Sequence, residues 1–208
     1  MIAPWQTPLG SLSVLITPPT EEPITLDEAK LRAGLAWPTT DPADPRDALM
    51  NDFIAAARQQ VERDTGLALL TQTRDLYFTV ITAGLVTLPM HALPLQEVIS
   101  VTPIDPATGR ATGAARPPGT IGLVTVGGVT QLTAAAFEGM TAAVAQCKVG
   151  WTDRAALKAA APLLVQAVGL LTAHFVTTGR DAVSTGTATP TPLGYEDAIA
   201  SYRLVWVP

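Results

Sequence analysis

The chain has 208 residues, of which 15% are charged and 48% are hydrophobic, and its net charge is −5. Globular proteins usually carry about 25% charged residues, so this composition favours a protein that hides part of its surface in an assembly. Residues 1–64 contain ten acidic and five basic residues, and the remainder contains eight of each. No basic patch that could neutralise phosphates is present in the sequence, which argues against a conventional nucleic-acid-binding module.

Cysteine usage and the N-terminal sequence indicate where the protein resides. Cys147 is the single cysteine, so no intrachain disulfide can form, which suits a reducing cytoplasm. The first residues lack a positively charged segment and are interrupted by prolines, unlike a secretory signal. We therefore expect the protein to remain in the cytoplasm in which it is made.

The chain begins with an arm and a short helix. Residues 1–23 read as an irregular arm with one short strand at Ser11–Thr17, where apolar residues alternate. Thr25 and Glu28 form the pattern of a capping box, in which each side chain accepts a hydrogen bond from the other residue's N–H. A short helix should therefore begin at Leu26.

A second, longer helix is predicted at about residues 46–65. Asp44 can cap it, Pro45 fits its first position, and Gly66 supplies a left-handed stop. Its apolar residues recur three and four positions apart, as on one face of a helix. They are Leu49, Met50, Phe53, Ile54, Ala57 and Val61.

The pattern changes from helical to extended between residues 69 and 151. Short segments rich in β-branched residues are separated by proline and glycine turn signals, which predicts an antiparallel sheet or a small sandwich. At Gly127-Gly128 a hairpin turn is favoured over a phosphate-binding loop, because no GxGxxG motif is present. The predicted strands are Thr71–Ile81, Leu85–Leu88, Glu97–Ile104, Ile121–Val126 and Ala142–Val149.

The longest apolar run, Pro162–Thr178, predicts the core helix. Its apolar residues cover more than one helical stripe, so protein should surround it on most sides. Membrane insertion is the rival interpretation, but Gln166 and His174 interrupt the run, which is shorter than about 18–20 uninterrupted apolar residues. We expect the core helix to pack on the helix at 46–65. The residues predicted to be buried there in mutual contact are Leu163, Leu164, Val168, Leu171, Phe53 and Ile54.

These elements predict an α+β fold, a small helical bundle with an inserted antiparallel β region. After the arm, residues 24–208 are expected to form one domain. Its parts would be helices in 24–66, the β region in 69–151, helices in 153–204 and an apolar tail at 205–208. Residues 153–161 fit either a short helix or a loop, 179–194 a mobile loop, and Tyr195–Leu204 a final helix.

No set of residues in the sequence supports catalysis. His91 and His174 are the only histidines, and no motif joins either one to Cys147 or to a serine. His174 is interpreted as a histidine of the core. Cysteines, histidines and carboxylates do not occur at metal-ligand spacing. We therefore expect neither an enzyme, nor a bound cofactor, nor a metal site.

Five segments resemble one protein family, and they occur in the family's order. The chain is similar to the head–tail connector (adaptor) proteins of long-tailed bacteriophages and of gene transfer agents. The matching segments are ITLDEAK (24–30), ALMNDFIAAARQQVERDTGLALLTQT (48–73), LPMHALPLQEVISV (88–101), PLLVQAVGLLTAHF (162–175) and PLGYEDAIASYR (192–203).

The resemblance implies a structural protein of a virion or phage-like particle. Connectors of this family form a ring, usually dodecameric, beneath the portal of the capsid. The ring joins the portal to the stopper, or tail-completion protein, and to the tail, and it leaves a channel for DNA. It implies assembly in the bacterial cytoplasm and no membrane partner. The alternatives are a tail-completion or other neck protein, or a binding module of unknown partner.

The resemblance also suggests a partner interface at the C-terminus, because the C-terminal segment of such connectors engages the portal. The segment is apolar and contains Trp206, and tryptophan is a frequent interface anchor. In the alternative interpretation Trp206 folds back on its own domain. The residues expected to contact the portal are Tyr202, Leu204, Val205, Trp206 and Val207.

Overall fold

A computed structural model describes residues 12–34, 45–79, 85–89, 91–117, 119, 121–126, 129–134, 137–178, 183–184, 187–188 and 193–203. The fold is α+β, as the sequence predicts. Its elements are β1 (Ser13–Thr17), α1 (Leu26–Arg32), α2 (Pro45–Thr65), β2 (Gln72–Thr79), β3 (Leu85–Thr87), β4 (Leu95–Pro103), β5 (Ile121–Val126), β6 (Val129–Ala134), β7 (Ala142–Val149), α3 (Arg154–Ala160), α4 (Pro162–Thr178), β8 (Val183–Ser184), β9 (Thr187–Ala188) and α5 (Leu193–Ala200).

The chain divides into two compact units, and each draws on two separate parts of the sequence. Residues Met1–Pro18 and Thr71–Gly150 form the β unit, and Pro19–Leu70 and Trp151–Pro208 form the helical unit. The prediction that residues 24–208 make a single domain stays a prediction.

The β unit contains a four-stranded sheet of order β1-β2-β7-β4 and a three-stranded sheet of order β3-β6-β5. Every pair of neighbouring strands is antiparallel, as predicted. The two long central strands have alternating burial, so one face of the larger sheet is covered. Phe78 on that face packs edge-on against Phe137, with ring centroids 5.6 Å apart.

One strand of the smaller sheet, β6, was not predicted from the sequence. β6 pairs with β5 along its full length, and Val126 lies opposite Val129. This pairing is that of the hairpin expected around Gly127-Gly128, although the two glycines lie outside the described residues. The strand was missed because the apolar residues of VTQLTA neither alternate regularly nor form a continuous run.

The helical unit is organised around α4, which contacts α1, α2, α3 and α5. Leu164 and Val168 are fully buried, Leu171 is 3% exposed, and Ile54 of α2 is 1% exposed. The predicted packing of the core helix on the helix at 46–65 is therefore confirmed. Between them, Phe53 and Phe175 bring their rings to a centroid distance of 6.3 Å.

Two of the predicted core residues are not buried. Leu163 is 41% exposed, and Phe53 is only half-buried. The buried stripe of α4 includes Leu164 and Val168. Leu163 comes one residue, about 100°, before that stripe and lies in the first turn of the helix. The first and last turns of α4 are more open than its middle, and Phe53 of α2 packs against Phe175 in the last turn. The prediction of burial was therefore wrong for Leu163 and Phe53.

Local sequence signals begin and end the helices as expected. The N–H of Glu28 donates to Thr25 Oγ1 at 3.1 Å, and the N–H of Thr25 donates to Glu28 Oε2 at 2.9 Å. Gly66 follows α2 with a φ of 75°, a conformation that costs glycine little. Asp153 caps α3 by accepting from the N–H of Ala156 at 2.8 Å, so this region is a helix and not a loop.

The region after α4 differs from the prediction at two points. Residues 183–184 pair with 187–188 as a two-stranded hairpin, within the segment predicted to be a mobile loop. The last helix begins at Leu193 and ends at Ala200, and not at Leu204. Polar threonine and serine carry no apolar periodicity, so such a short hairpin leaves no signal in a sequence.

Among the described residues no single helix is long and apolar enough to cross a membrane. The helix pair Arg154–Ala160 and Pro162–Thr177, which is bent by 111° at the break, satisfies length and composition only when taken together.

The core packing can be tested with two leucines of the same helix. Leu171→Ala removes a buried side chain and should lower the free energy of unfolding by about 2–5 kcal/mol. Leu163→Ala is the matched control and should change it by less than about 1 kcal/mol, because that side chain is largely exposed. Urea denaturation followed by circular dichroism measures both values. Equal effects of the two substitutions would contradict the assignment.

Candidate partner interfaces

Of the five residues predicted to contact the portal, the structure describes one. Tyr202 is half-buried in a turn after α5, and its N–H donates to the carbonyl of Ile199 at 2.9 Å. Leu204, Val205, Trp206 and Val207 lie outside the described residues. The arrangement of this set therefore stays a prediction.

The helix that precedes this C-terminal segment is firmly attached to the helical unit. Tyr195 is 1% exposed, and its hydroxyl donates to Asp64 Oδ2 of α2 at 2.6 Å. Burial and the adjacent carboxylate raise the pKa of Tyr195, so the phenol stays protonated and remains a donor. Ala198 and Ile199 are buried on the same helix. The described part of the chain that precedes the C-terminal segment is thus held in place by packing and a hydrogen bond.

The acidic excess of residues 1–64 is partly engaged inside the helical unit. Asp47 accepts from Lys30 Nζ at 2.9 Å, which joins α2 to α1. Ion pairs and hydrogen bonds of this kind involve six acidic residues of the segment, namely Glu21, Glu22, Glu28, Asp47, Glu62 and Asp64. Asp27 and Asp52 are exposed. Most of the acidic residues that give this segment its negative charge therefore form contacts within the helical unit.

The most buried of these contacts centre on Arg58. Its guanidinium donates to Glu22 Oε2 at 2.9 Å and to Glu62 Oε2 at 3.1 Å. Arg58 and Glu62 are 4% and 3% exposed, and Glu62 also accepts from the N–H of Leu69 at 2.9 Å. Burial raises the pKa of Glu22, although the charge of Arg58 opposes this rise. Arg58 therefore links the segment before α1 to the end of α2.

Glu21 and Glu22 also fix the start of α3. Arg154 donates its backbone N–H to Glu21 Oε1 at 2.9 Å and its Nε to the Glu22 carbonyl at 2.8 Å. A cleft of about 400 Å³ opens here, and its charged groups contact one another: Arg154 lies 3.4 Å from Glu21, and Lys158 lies 4.0 Å from Glu28. These polar contacts account for the charged lining of the cleft.

The single cysteine of the sequence lies in the interior of the β unit. Cys147 is fully buried in the central strand β7. Burial, and the charge of Asp75, raise its pKa to about 12, so it stays a thiol at neutral pH and lacks nucleophilic character. His174 is half-buried and belongs to the helical unit. Within the described part of the chain no group of three or more His, Cys, Asp or Glu side chains could hold a metal ion.

The edge strand β1 carries an apolar surface that was not predicted from the sequence. Its side chains are exposed on both faces of the strand, and the strand contains no charged residue. Leu12, Val14, Leu15 and Ile16 are 38%, 38%, 40% and 48% exposed. The signal was present: Leu15 breaks the alternation of Leu12, Val14 and Ile16, so both faces of the predicted strand are apolar.

The opposite edge of the same sheet is covered along only part of its length. From Val101 onward a return segment pairs with β4, and Val101 and Arg116 exchange two backbone hydrogen bonds of 3.0 and 2.7 Å. Along Leu95–Ser100 the described residues supply no backbone partner on the outer side. Ile99 in this stretch is 43% exposed.

Comparison with known proteins gives one kind of match. No protein-family model and no curated protein matches the chain. Among solved structures, a chain from the neck of an empty GTA particle, computed with C6 symmetry, aligns with a TM-score of 0.69 and 23% identity. The alignment covers 95% of this chain and 97% of that one. The protein has the fold of a chain found in a GTA particle neck.

Two further structures agree with this assignment of the fold. A chain of the virion of a native gene transfer agent (GTA) particle aligns with a TM-score of 0.67 and 22% identity. A chain from the neck of a native GTA particle, computed with C12 symmetry, aligns with a TM-score of 0.63 and 21% identity. Both alignments again cover 95% of this chain and 97% of the other. The neck-protein fold therefore spans both units of the chain.

The contacts of Arg58 predict a measurable effect on stability. Arg58→Ala removes the guanidinium that contacts the buried Glu62 carboxylate and should lower the free energy of unfolding by about 3–5 kcal/mol. The matched control is Arg63→Ala on the same helix, whose side chain is 69% exposed and whose loss should cost less than about 1 kcal/mol. Urea denaturation at pH 7 compares them. A small effect of Arg58→Ala would show that water reaches Glu62.

Proposed function

We propose that this protein is a structural head–tail connector in the neck of a gene transfer agent or phage-like particle. The observation that carries the proposal is the fold, which matches chains of GTA particle necks and a GTA virion over 95% of the sequence. The ordered sequence resemblance to connector proteins supports the same role independently. In this role the protein is structural and has no catalytic activity.

The working form would be a homo-oligomeric ring, with twelve copies as the expected number. Two of the neck structures were computed with C6 and C12 symmetry, and both symmetries are compatible with twelve subunits. The low charged fraction of 15% and the exposed apolar strand β1 are consistent with subunit contacts. The ring would lie between the portal and the stopper or tail-completion protein.

DNA would pass through the ring without being held by it. Net charge −5 and the absence of a basic cluster in the sequence disfavour phosphate binding. Asp27 and Asp52 are exposed acidic residues of the N-terminal third, whereas most of the others are engaged in ion pairs. The proposal is that exposed acidic groups repel the DNA backbone and let it slide.

The C-terminal segment would contact the portal. The support comes from α5, whose attachment through Tyr195 and Asp64 gives the apolar residues 204–208 a fixed origin. An anchored helix lowers the conformational entropy that a docking segment loses on binding. Tyr202, Leu204, Val205, Trp206 and Val207 are the proposed contact residues.

A ring of portal symmetry distinguishes the connector from the other candidates. A tail-completion protein or another neck component would bind the far side of a connector ring and would not bind the portal directly. An isolated binding module would remain monomeric. Negative-stain electron microscopy of the purified protein, alone and mixed with its portal, should show rings with twelvefold symmetry on the portal. A protein that stays monomeric and does not bind the portal would contradict the proposal.

The portal contact can be tested at Trp206. Trp206→Ala should weaken portal binding by at least about tenfold, because interface tryptophans often contribute 2 kcal/mol or more. Trp206→Phe is the matched control and should retain most of the affinity, since an aromatic anchor remains. Surface plasmon resonance on immobilised portal gives both values. Normal binding by Trp206→Ala would place the contact elsewhere.

The proposed passage of DNA predicts weak, salt-insensitive binding. Fluorescence anisotropy with a labelled 30-base-pair duplex should show no saturation of binding at micromolar concentrations of the protein. The affinity should change little between about 50 and 200 mM salt. A protein that neutralises several phosphates would instead lose about 10³-fold in affinity over that range. Tight binding with such a slope would contradict the sliding role.

A further inference from the structure

The larger sheet of the β unit has an edge with little of the usual protection. Sheets in soluble proteins shield their edge strands with charges, prolines, bulges or covering segments, because an open edge pairs with another chain. The strand β1, SVLIT, contains no charge and no proline, and its apolar side chains are 38–48% exposed. Its pairing with β2 is regular from Ser13 to Leu15 and shifts register only between Leu15 and Thr17. Within the described residues its outer side has no strand partner. Such an edge is suited to strand addition.

A complementary edge occurs on the other side of the same sheet. The stretch Leu95–Ser100 of β4 lacks an outer backbone partner among the described residues, whereas the rest of β4 is covered from Val101 onward. Its pairing with β7 shifts register between Leu95 and Glu97 and between Val98 and Ser100. Its six residues match the five of β1 in length. Ile99, 43% exposed, provides an apolar side chain there. The chain therefore presents two open edges of similar length.

The directions of the two edges determine how copies can join. The order β1-β2-β7-β4 has four strands, and each neighbouring pair is antiparallel, so β1 and β4 run in opposite directions. In a twelvefold ring each copy is turned by only about 30° from its neighbour, which nearly preserves strand direction. The β1 strand of one copy can thus lie antiparallel to the β4 strand of the next. An odd number of strands would have given a parallel junction.

We propose that β1 of one copy adds to Leu95–Ser100 of the neighbouring copy and joins the four-stranded sheets into one continuous belt. This inference rests on the proposed ring, and its occupant is a second copy of this chain. The two edges differ, so the contact is head-to-tail and generates a ring when the rotation closes. Main-chain hydrogen bonds give the junction its affinity, and the apolar side chains of β1 become covered.

The register within the sheet identifies residues that the junction brings together. Val14 lies opposite Asp75, Asp75 opposite Gln146, and Gln146 opposite Ser100. These residues form one row across a single face of the sheet. If the row continues into the next copy, Ser100 of one subunit lies next to Val14 of its neighbour. Residues of β4 that lie opposite Val144 and Lys148, two positions from Gln146 on β7, are Thr102 and Glu97. A shifted register would therefore place Thr102 or Glu97 near the same position.

Disulfide cross-linking tests this pairing directly. The native Cys147 is fully buried and contributes the same background to every variant. The double variant Val14→Cys with Ser100→Cys, oxidised at assembly concentration, should give a ladder of covalent multimers on a denaturing gel. Mixing the two single variants should give dimers only, and each single variant alone should give none. Val14→Cys with Glu97→Cys covers the shifted register.

A lysine on the edge provides a second, independent measurement. Ile16→Lys places a charge on the most exposed apolar residue of β1, and it should raise the concentration needed for ring assembly at least about tenfold. Leu31→Lys is the matched control, since Leu31 is 80% exposed on α1 of the helical unit, and it should leave assembly unchanged. Mass photometry gives the assembled fraction, and circular dichroism confirms folding.

The outcomes separate this inference from the proposed function. Rings that form without Val14–Ser100 or Val14–Glu97 cross-links overturn the strand pairing and leave the connector role standing. Cross-links between two copies of the Val14→Cys variant indicate a twofold contact and also overturn it. Head-to-tail ladders in a protein that forms no closed ring support the pairing and reject the ring. Absence of both rings and ladders rejects both proposals.

Discussion

The helical unit depends on covering one apolar helix. The helix α4 carries almost no charge-bearing residue and exposes apolar side chains in more than one direction, so a single neighbour cannot bury it. Four helices from both ends of the sequence contact it. The approach is close: a Cβ on Gly169 would lie 2.6 Å from the Arg32 side chain. Glycine at this position leaves room for the Arg32 side chain to lie against α4, and a larger residue would displace that side chain.

Electrostatic contacts then connect the pieces that the apolar core gathers. Arg58 binds the segment before α1, Arg154 fixes that segment to the start of α3, and Tyr195 attaches the last helix to α2. A buried charge pair adds little stability over an apolar pair of the same shape, but it is costly to break. These contacts therefore specify the arrangement of helices more than they stabilise it.

The sequence predicted the features that depend on local patterns. Capping by Thr25, the stop at Gly66 and the antiparallel strands all follow from short-range signals. Features that depend on distant partners were missed. The exposure of Leu163 follows from where neighbouring helices end, and the role of Glu22 depends on an arginine 36 residues away. Neither position has a local pattern that separates it from its neighbours.

The burial of Cys147 has a practical consequence for following the molecule. A thiol whose pKa is about 12, and which lies in the central strand of a sheet, reacts with an alkylating reagent only when that sheet opens. The rate of labelling in the native state therefore reports the local opening free energy of the β unit. Because the chain contains no other cysteine, the signal needs no engineering and does not mix with opening of the helical unit. Labelling of this natural thiol thus measures how often the β unit opens in the native protein.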